Sequence, residues 1–379
     1  EDILEGGKVV YKKGQTITQK VGGKKYDTFT TNSKNVVVVK TEYTNDDDDK
    51  GEVFLPLQFF AGKYHLEEVK VPDGFIGLGK TQSFEMSGLL DFSKDEDGDP
   101  IYTVTVIDEQ PKGSVHLTKT VDDLDTDTDL VDRSDLSKIQ FVLKAKDDIY
   151  SPVDGSLMFA KDEKITTENS GAVVNVGTEI GKGIYALSKD GQLDISNLPM
   201  GTGEAKYYFE EVKTLDGCVL DETKHAFTFK QKDFTTKNYS KELNVENKTT
   251  HFNFNKTDVT GDKEVEGAQL TITDEKGNVI DHWISTDMPH SIEGLVVGKT
   301  YTLSETVSAK DYVKASDIRF TVKNSSELET VTMKDKQVSF TKTDVTGEKE
   351  VEGATITVKE KETGKVIDEW TSTKESHFI

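Results

Sequence analysis

A long internal repeat in the C-terminal part of the sequence constrains its fold more than any other feature. The segment Phe252–Thr286, FNFNKTDVTGDKEVEGAQLTITDEKGNVIDHWIST, returns as Val338–Thr373, VSFTKTDVTGEKEVEGATITVKEKETGKVIDEWTST. The period is 86 residues, counted from Lys256 to Lys342. Repetition at a fixed period marks a chain built from tandem units. The sequence therefore predicts successive copies of one domain.

The residue pattern within each copy is typical of β-strands. FNFNK and VSFTK alternate apolar and polar residues, and so do AQLTITD and ATITVKE. The second pair is followed by glycine-containing turns, EKGN or ETGK, and then by a further strand pattern, VIDHWIS or VIDEWTS. Strands and turns at this spacing indicate half-buried sheets, and the predicted fold class is an all-β chain of tandem β-sandwiches.

The overall composition narrows the classes of partner and compartment. The 379-residue chain has a formal net charge of −23 at pH 7, which disfavours nucleic acid and anionic membranes because like charges repel. Its single cysteine, Cys218, cannot form a disulfide within the chain, so a secreted protein of this kind needs another means of resisting unfolding. No apolar run reaches the length of a transmembrane helix. With neither a signal peptide nor a sorting signal in the sequence, both ends are expected to be cut ends of a longer protein.

The repeat and a related strand pattern divide the chain into four predicted units. VHLTKT at Val115–Thr120 shares the alternation and the Lys-Thr pair of FNFNKT, so a second domain is expected to start near Gly113. Its extra length includes the acidic loop Val121–Asp135. The predicted units are 1–112, a divergent N-terminal part; 113–249, a domain with insertions; 250–336; and 337–379, an incomplete repeat.

A second element, of the form Tyr-x-Leu/Phe-x-Glu, recurs late in each of the first three units. It begins at Tyr64, Tyr207 and Tyr301 (YTLSE in the last, with YHLEE and YYFEE before it). Side chains two apart in a strand share a face, and this face is apolar. We therefore expect three glutamates to point into the core, namely Glu68, Glu211 and Glu305. Their neighbours Glu67 and Glu210 should point outward. A third element, VTVID, LNVEN or VTMKD, ends each unit 30 to 40 residues later, at Asp108, Asn247 and Asp335.

A carboxyl group that faces a core is costly unless a partner accompanies it, and a core-facing Lys with a core-facing Asp or Asn would supply that partner. The same order occurs twice: Lys256, Glu305 and Asp335 in the third unit, and Lys119, Glu211 and Asn247 in the second. Burial lowers the pKa of a lysine and raises that of a carboxyl group. A neutral amine beside a neutral acid can act as nucleophile and electrophile, with the Glu relaying protons.

This order of Lys, then Tyr-x-Leu-x-Glu, then Asp or Asn resembles the Cna B-type (SpaA-type) domains of pilin shafts and adhesin stalks in Gram-positive bacteria. GNVIDHWIS and TYTLSET are particularly similar to the fibronectin-binding adhesin module used for protein ligation. The resemblance implies an immunoglobulin-like, prealbumin-like sandwich in each unit. It also implies spontaneous isopeptide bonds, Lys256–Asp335 with loss of water and Lys119–Asn247 with loss of ammonia, with the Glu as catalyst.

The first and fourth units depart from this pattern. Glu68 and Asp108 are in place in the first, and PDGF follows the Glu as in the family, but no Lys-Thr strand lies at the expected distance upstream. Lys8 is a candidate partner, Lys12 is its rival, and a lysine upstream of the first residue is a third alternative. The fourth unit has neither the Glu nor the acceptor, so no bond is expected at Lys342.

Other motifs favour ordinary structural roles. DDDD at Asp46–Asp49 predicts a hairpin tip. DEDGD at Asp95–Asp99 and DLDTDTD at Asp123–Asp129 resemble calcium loops, but neither has the Gly at the sixth place or the Glu at the twelfth. The 7 histidines show no metal or triad spacing, so neither a metal nor a cofactor is predicted. Three further residues are expected to pack rather than to react or bind: Cys218, Trp283 and Trp370.

The sequence thus predicts a structural stalk or shaft segment of a cell-surface pilin or adhesin, extracellular and anchored to the cell wall, rather than an enzyme acting on a substrate. Two alternatives stay open: a module that binds a host ligand, and accessory domains of a larger surface enzyme. The partners in view are other copies joined by sortase polymerisation, or a host surface ligand; neither nucleic acid nor membrane insertion is expected. The sortase-linked lysine motif of the family is not visible, which leaves polymerisation open.

Overall fold

The computed structural model describes residues 2–16, 19–21, 24–26, 30–31, 37–38, 61–68, 70–78, 82–86, 93–94, 100–101, 108–261 and 263–378. The predicted hairpin tip Asp46–Asp49 and the acidic run Asp95–Asp99 lie outside the described residues. Helix in the described part is limited to a 3-10 turn at Leu136–Lys138 and the four-residue helix α1, Thr167–Ser170. Neither has the length or the apolar composition needed to cross a membrane. The expected all-β fold is confirmed.

The described N-terminal residues form short antiparallel strand pairs, each made of strands consecutive in the chain. The strands are β1 (Ile3–Glu5), β2 (Lys8–Tyr11), β3 (Gln19–Val21), β4 (Lys24–Tyr26), β5 (Thr30–Thr31), β6 (Val37–Val38), β7 (Gly62–Leu66), β8 (Gln82–Met86), β9 (Ser93–Lys94) and β10 (Pro100–Ile101). Ile3, Tyr64 and Ile76 are the buried apolar residues described here.

The next part of the chain builds a sandwich of two sheets around one apolar core. The strands in this part of the chain are β11 (Lys112–Val121), β12 (Thr128–Asp129), β13 (Gln140–Ala145), β14 (Ile149–Tyr150), β15 (Leu157–Phe159), β16 (Val173–Val176), β17 (Thr178–Gly181), β18 (Ile184–Ala186), β19 (Gln192–Pro199), β20 (Glu204–Lys213), β21 (His225–Lys230) and β22 (Asn238–Asn247). All of them except β12 belong to this sandwich. One sheet has the order β16-β19-β11-β22 and the other β17-β18-β13-β20-β21, while β14 and β15 form a hairpin. We call this the β11–β22 sandwich.

A second sandwich follows directly, and we call it the β23–β29 sandwich. Its strands are β23 (His251–Asp258), β24 (Gln269–Thr273), β25 (Val279–Ile284), β26 (His290–Glu293), β27 (Thr300–Val307), β28 (Ile318–Thr321) and β29 (Leu328–Asp335). The sheet β25-β24-β27-β28 packs on the sheet β12-β26-β23-β29 through a core that includes Phe252, Phe254 and Leu303.

Burial alternates along the first strand of each sandwich and brings a lysine into the core. Residues of β23 are buried at every second position over Phe252, Phe254 and Lys256, and β11 behaves in the same way over Val115, Leu117 and Lys119. Because side chains alternate across a strand, a lysine in phase with buried apolar residues enters the core with them. In both sandwiches this first strand pairs in parallel with the last one, β11 with β22 and β23 with β29.

The acidic segment expected as a loop contains strand β12, which belongs to the β23–β29 sandwich. Thr128 pairs with Ile292 and Asp129 with Glu293 in parallel register, and Leu130 N–H donates to the Glu293 carbonyl at 3.1 Å. The segment forms a strand despite the low strand propensity of Asp because the edge of β26 offers unpaired backbone groups. The two sandwiches are therefore joined by backbone hydrogen bonds as well as by the chain.

The C-terminal repeat forms two separate strand pairs, β30 with β33 and β31 with β32. These strands are β30 (Ser339–Phe340), β31 (Thr355–Lys359), β32 (Val366–Thr371) and β33 (His377–Phe378). Within the described residues 337–378, Ser372 alone is buried. This part consequently contributes little apolar burial of its own.

Candidate functional site: two buried lysine clusters

Strand register brings Lys256 and Asp335 to the same place in the core of the β23–β29 sandwich. Lys256 is opposite Met333 in the parallel pair, so Asp335 lies two residues further along the neighbouring strand and on the same face. Glu305, on β27 of the facing sheet, approaches from the other side of the core. The relative exposure of Lys256 is 1%, of Asp335 1% and of Glu305 0%.

The three side chains contact one another directly. Lys256 Nζ donates to Asp335 Oδ1 and lies 3.0 Å from Glu305 Oε1. Glu305 Oε2 accepts the backbone N–H of Ala315 at 2.5 Å, which fixes the carboxyl group at its other oxygen. Burial raises the pKa of Asp335 above its ordinary value, although Lys256 opposes the shift. Burial therefore favours the protonated, electrophilic form of the Asp335 carboxyl group, which lies in contact with the amine of Lys256.

The β11–β22 sandwich contains a second cluster with the same register. Lys119 is opposite Val245, and Asn247 again lies two residues further along the parallel strand. Lys119 Nζ lies 2.5 Å from Asn247 Oδ1 and 2.9 Å from Glu211 Oε2. Asn247 Nδ2 donates to Glu211 Oε1 at 2.7 Å. Burial lowers the pKa of Lys119, and the attraction of Glu211 offsets this only in part, so the amine is shifted towards its nucleophilic neutral form.

A β-bulge sits beside the glutamate in both sandwiches. The β13–β20 register shifts between Gln140 and Phe141, which faces Glu211, and the β24–β27 register shifts between Gln269 and Leu270, which faces Glu305. A bulge re-aims the side chains around it. Its recurrence at the same place indicates that the direction of the glutamate matters in both. Sequence reasoning missed the bulges because neither Gly nor Pro marks them.

Glu68 and Asp108 also approach each other in the first unit, although their surroundings differ. Glu68 Oε2 accepts the N–H of Leu78, ten residues on, as Glu305 does from Ala315. Burial raises the pKa of Glu68, and the Asp108 charge adds to the shift; burial alone raises the pKa of Asp108. Asp108 Oδ1 is buried with no hydrogen-bond partner among the described residues.

The lysine that would complete this first cluster stays a prediction. Lys8 lies at the start of β2, opposite Glu5, and its side chain is exposed; the side chain of Lys12 is exposed as well. Neither lysine is buried beside Glu68 and Asp108. In the C-terminal repeat, Lys342 is exposed, whereas its counterpart Lys256 is buried.

The acidic run Asp123–Asp129 meets a buried glutamate at the junction of the two sandwiches. Carboxylate oxygens of Asp123, Asp129 and Glu293 lie within 4.8 Å of one another. Arg133 enters this group, with Nη1 2.6 Å from Asp129 and Nη2 2.9 Å from Glu293. Glu293 also accepts the N–H of Leu124 at 3.2 Å. Arg133 thus brings one positive charge to a group of three carboxylates, and its ion pair with Glu293 links the acidic segment to β26.

The other residues singled out from the sequence have ordinary surroundings. Cys218 is 1% exposed, and burial raises the pKa of its thiol to about 12, which suppresses the reactive thiolate. Trp283 packs against Phe254 and stacks on His290, with ring centroids 4.2 Å apart; Trp370 stacks on His377 at 4.1 Å. Sequence reasoning missed these histidines, although each stands seven residues after its Trp in both copies.

Comparisons with known proteins give one family match and several similar solved structures. None of the curated protein sequences matches the chain significantly. Similar solved structures include the Bacillus anthracis TIE protein (18% identity, TM-score 0.32, 79% of this chain and 46% of that one) and a streptococcal ancillary pilin (18%, 0.25, 73% and 76%). A C-terminal fragment of the pilus adhesin SpaC from Lactobacillus rhamnosus GG is also similar (15%, 0.31, 59% and 95%).

Identities and TM-scores this low do not carry a function from those proteins to this chain, which spans less than half of the TIE protein. The family model is more direct, because it matches residues 125–243 and 250–337, more than half of the sequence, and both ranges fall on the two sandwiches that hold the lysine clusters. The chain belongs to the SpaA family of prealbumin-like fold domains.

Proposed function

We propose that this chain is a load-bearing stalk or shaft segment of a pilin or adhesin on the outer surface of a Gram-positive bacterium. In this proposal isopeptide bonds Lys256–Asp335 and Lys119–Asn247 seal the two sandwiches. The observation that carries the proposal is the meeting of a buried Lys, a buried Glu and a buried Asp or Asn at one register position in two successive sandwiches. Burying an amine costs free energy. The recurrence of a buried lysine at the same register position in both sandwiches therefore favours a role for the amine in a reaction.

The proposed reaction balances within each cluster. Neutral Nζ of Lys256 attacks Cγ of protonated Asp335, and Glu305 takes a proton from the amine and returns one to the departing hydroxyl. A C–N bond forms, a C–O bond breaks and water leaves. In the β11–β22 sandwich the C–Nδ2 bond of Asn247 breaks instead and ammonia leaves. Proximity and a dry site supply the rate, since the groups are already in contact.

A bond at this position would suit a protein under tension. It joins the first strand of a sandwich to the last, which lie side by side in parallel, so force entering at one end leaves through a covalent link. The bridged residues are 79 apart in one sandwich and 128 apart in the other. Loops of these lengths remove about 4.5 and about 5 kcal/mol of unfolded-chain entropy.

The partners proposed are those of the family: further subunits, joined by sortase polymerisation, or a host surface ligand. The support for them is family membership, and the structure adds no specific surface for either. No turnover of an external substrate is proposed, because the chemistry named here consumes the side chains that perform it.

Single-molecule stretching of the whole chain tests the proposal. The sealed β23–β29 sandwich should release no length between Lys256 and Asp335, whereas Lys256→Ala should release their separation of 79 residues, roughly 260–280 Å. Lys263→Ala, a change at an exposed lysine of the same sandwich, is the matched control and should behave as the unaltered chain. Full-length extension of both sandwiches in the unaltered chain would contradict the proposal.

A further inference from the structure

We infer that Thr214 holds the leaving nitrogen of Asn247 and thereby sets up the ammonia-releasing reaction; this rests on the proposed function. Asn247 Nδ2 lies 2.5 Å from Thr214 Oγ1 and 2.7 Å from Glu211 Oε1, while Oδ1 lies 2.5 Å from Lys119 Nζ. A primary amide has two N–H donors and one acceptor oxygen. One N–H of Asn247 therefore donates to Glu211 and the other to Thr214, while the amide oxygen accepts from Lys119, so every polar group of the amide has a hydrogen-bond partner.

The first consequence concerns orientation. With both N–H groups bound to Glu211 and Thr214, the carbonyl oxygen of Asn247 must face Lys119. Turning the amide over would point its NH2 group at the amine and remove the N–H that Glu211 Oε1 accepts. The hydroxyl and the carboxyl group together keep the leaving nitrogen away from the nucleophile.

The second consequence concerns the transition state. As Nζ of Lys119 bonds to Cγ, its proton passes through Glu211 to Nδ2, and the C–Nδ2 bond breaks with release of ammonia. Protonation makes Nδ2 cationic before the C–Nδ2 bond breaks, and charged donors make stronger hydrogen bonds than neutral ones. The contact with Thr214 Oγ1 therefore tightens when the leaving nitrogen is protonated, which stabilises the transition state more than the ground state.

The contact of a hydroxyl with the acceptor side chain distinguishes the β11–β22 sandwich from the β23–β29 sandwich. Thr214 stands three residues after its glutamate; Ser308 and Val71 hold that place after Glu305 and Glu68. Both of those units end in an aspartate, which has no N–H to donate. In the β23–β29 sandwich, Asp335 Oδ2 is buried with no hydrogen-bond partner among the described residues, so Ser308 does not serve it.

The test follows bond formation in time. The full chain, kept unfolded in urea so that the clusters cannot assemble, is refolded by dilution, and peptide mass mapping follows loss of ammonia at Lys119 and loss of water at Lys256. Thr214→Val should slow ammonia loss about 10- to 100-fold, the effect of one hydrogen bond to a developing charge. Thr214→Ser should restore it, and water loss in the same molecules should be unchanged. Ser308→Ala is the matched control and should alter neither rate.

A second background separates this inference from a purely structural role for Thr214, which would slow bond formation whatever the leaving group. In the background Asn247→Asp the leaving group is water, so the inference predicts that Thr214→Val changes the rate by less than about threefold. An equal slowing in both backgrounds, or undiminished ammonia loss in Thr214→Val, would overturn the inference while leaving the bond itself intact. An unaltered chain that never loses ammonia would overturn the bond proposed at Lys119 as well. Hydrogen exchange in β20 verifies that each variant folds.

Discussion

Replacing Glu305 by Gln separates the proton relay from the packing of the β23–β29 sandwich. Gln has nearly the shape of Glu, and its side-chain oxygen can still accept the Ala315 N–H that Glu305 accepts at 2.5 Å. It cannot carry the proton from Lys256 to the departing hydroxyl. Glu305→Gln should therefore fold with Lys256 and Asp335 in contact but unlinked.

The cost of losing the bond follows from the length of the loop it closes. The two bridged residues are 79 apart, for which cross-linking contributes about 4.5 kcal/mol. For a domain of this size, 1 kcal/mol corresponds to about 4–8 °C in Tm, so the transition of this sandwich should fall by roughly 20–35 °C. The β11–β22 sandwich keeps its own cluster, and its transition serves as an internal reference.

Two measurements on the intact chain check this prediction: peptide mass mapping for the link and differential scanning calorimetry for the transition. Glu266→Gln, which changes an exposed glutamate of the same sandwich, should leave both unaltered. A fully linked Glu305→Gln protein would refute the role of Glu305. An unlinked one that melts within about 3 °C of the unaltered chain would refute the loop-closure reasoning.

Three further predictions concern other parts of the chain. Arg133→Ala should lower the free energy of unfolding of the β23–β29 sandwich, measured in urea, by about 2–4 kcal/mol, because it leaves the buried Glu293 without its cation. The control Lys138→Ala breaks an exposed ion pair with Asp132 of 3.7 Å and should change that free energy by less than about 1 kcal/mol. Burial raises the pKa of Glu68 and Asp108, so the native N-terminal part binds protons more tightly than the unfolded chain. The urea midpoint of this part should therefore be highest below about pH 4 and should fall as pH rises through the raised pKa values. Asp108→Asn should make that fall smaller. Cys218 should resist thiol reagents at pH 8 until the chain is unfolded, and rapid labelling of the native protein would contradict its burial.

The members of the two clusters could be predicted from the sequence because they lie in local strand patterns. Lys256 is in phase with Phe252 and Phe254, and Glu305 is in phase with Tyr301 and Leu303, so alternation alone predicts which side chains enter the core. The repeat then connects the two patterns as parts of one unit. The pairing of Lys256 with Asp335 was implied by the family resemblance, and the parallel first and last strands that bring them together were not predicted.

What the sequence did not reveal depends on contacts between distant segments. The strand β12 pairs with the free edge of β26, and its two residues, of which Asp129 has low strand propensity, are too few to show a strand pattern. The junction of Arg133 with Glu293 joins residues of two sandwiches, and the contact of Thr214 with Asn247 spans 33 residues. The sequence spacing of such partners carries no periodic signal, so pattern analysis cannot find them.

The intact mass of the unaltered, denatured chain tests the central claim most directly. If each buried amine has joined its neighbour, the mass falls short of the value for the sequence by one water and one ammonia, from Lys256–Asp335 and Lys119–Asn247. Lys256→Met should abolish the loss of water alone, and Lys119→Met the loss of ammonia alone. A chain whose measured mass equals the sum of its residues would contradict the self-sealing account, whatever the contacts in its core.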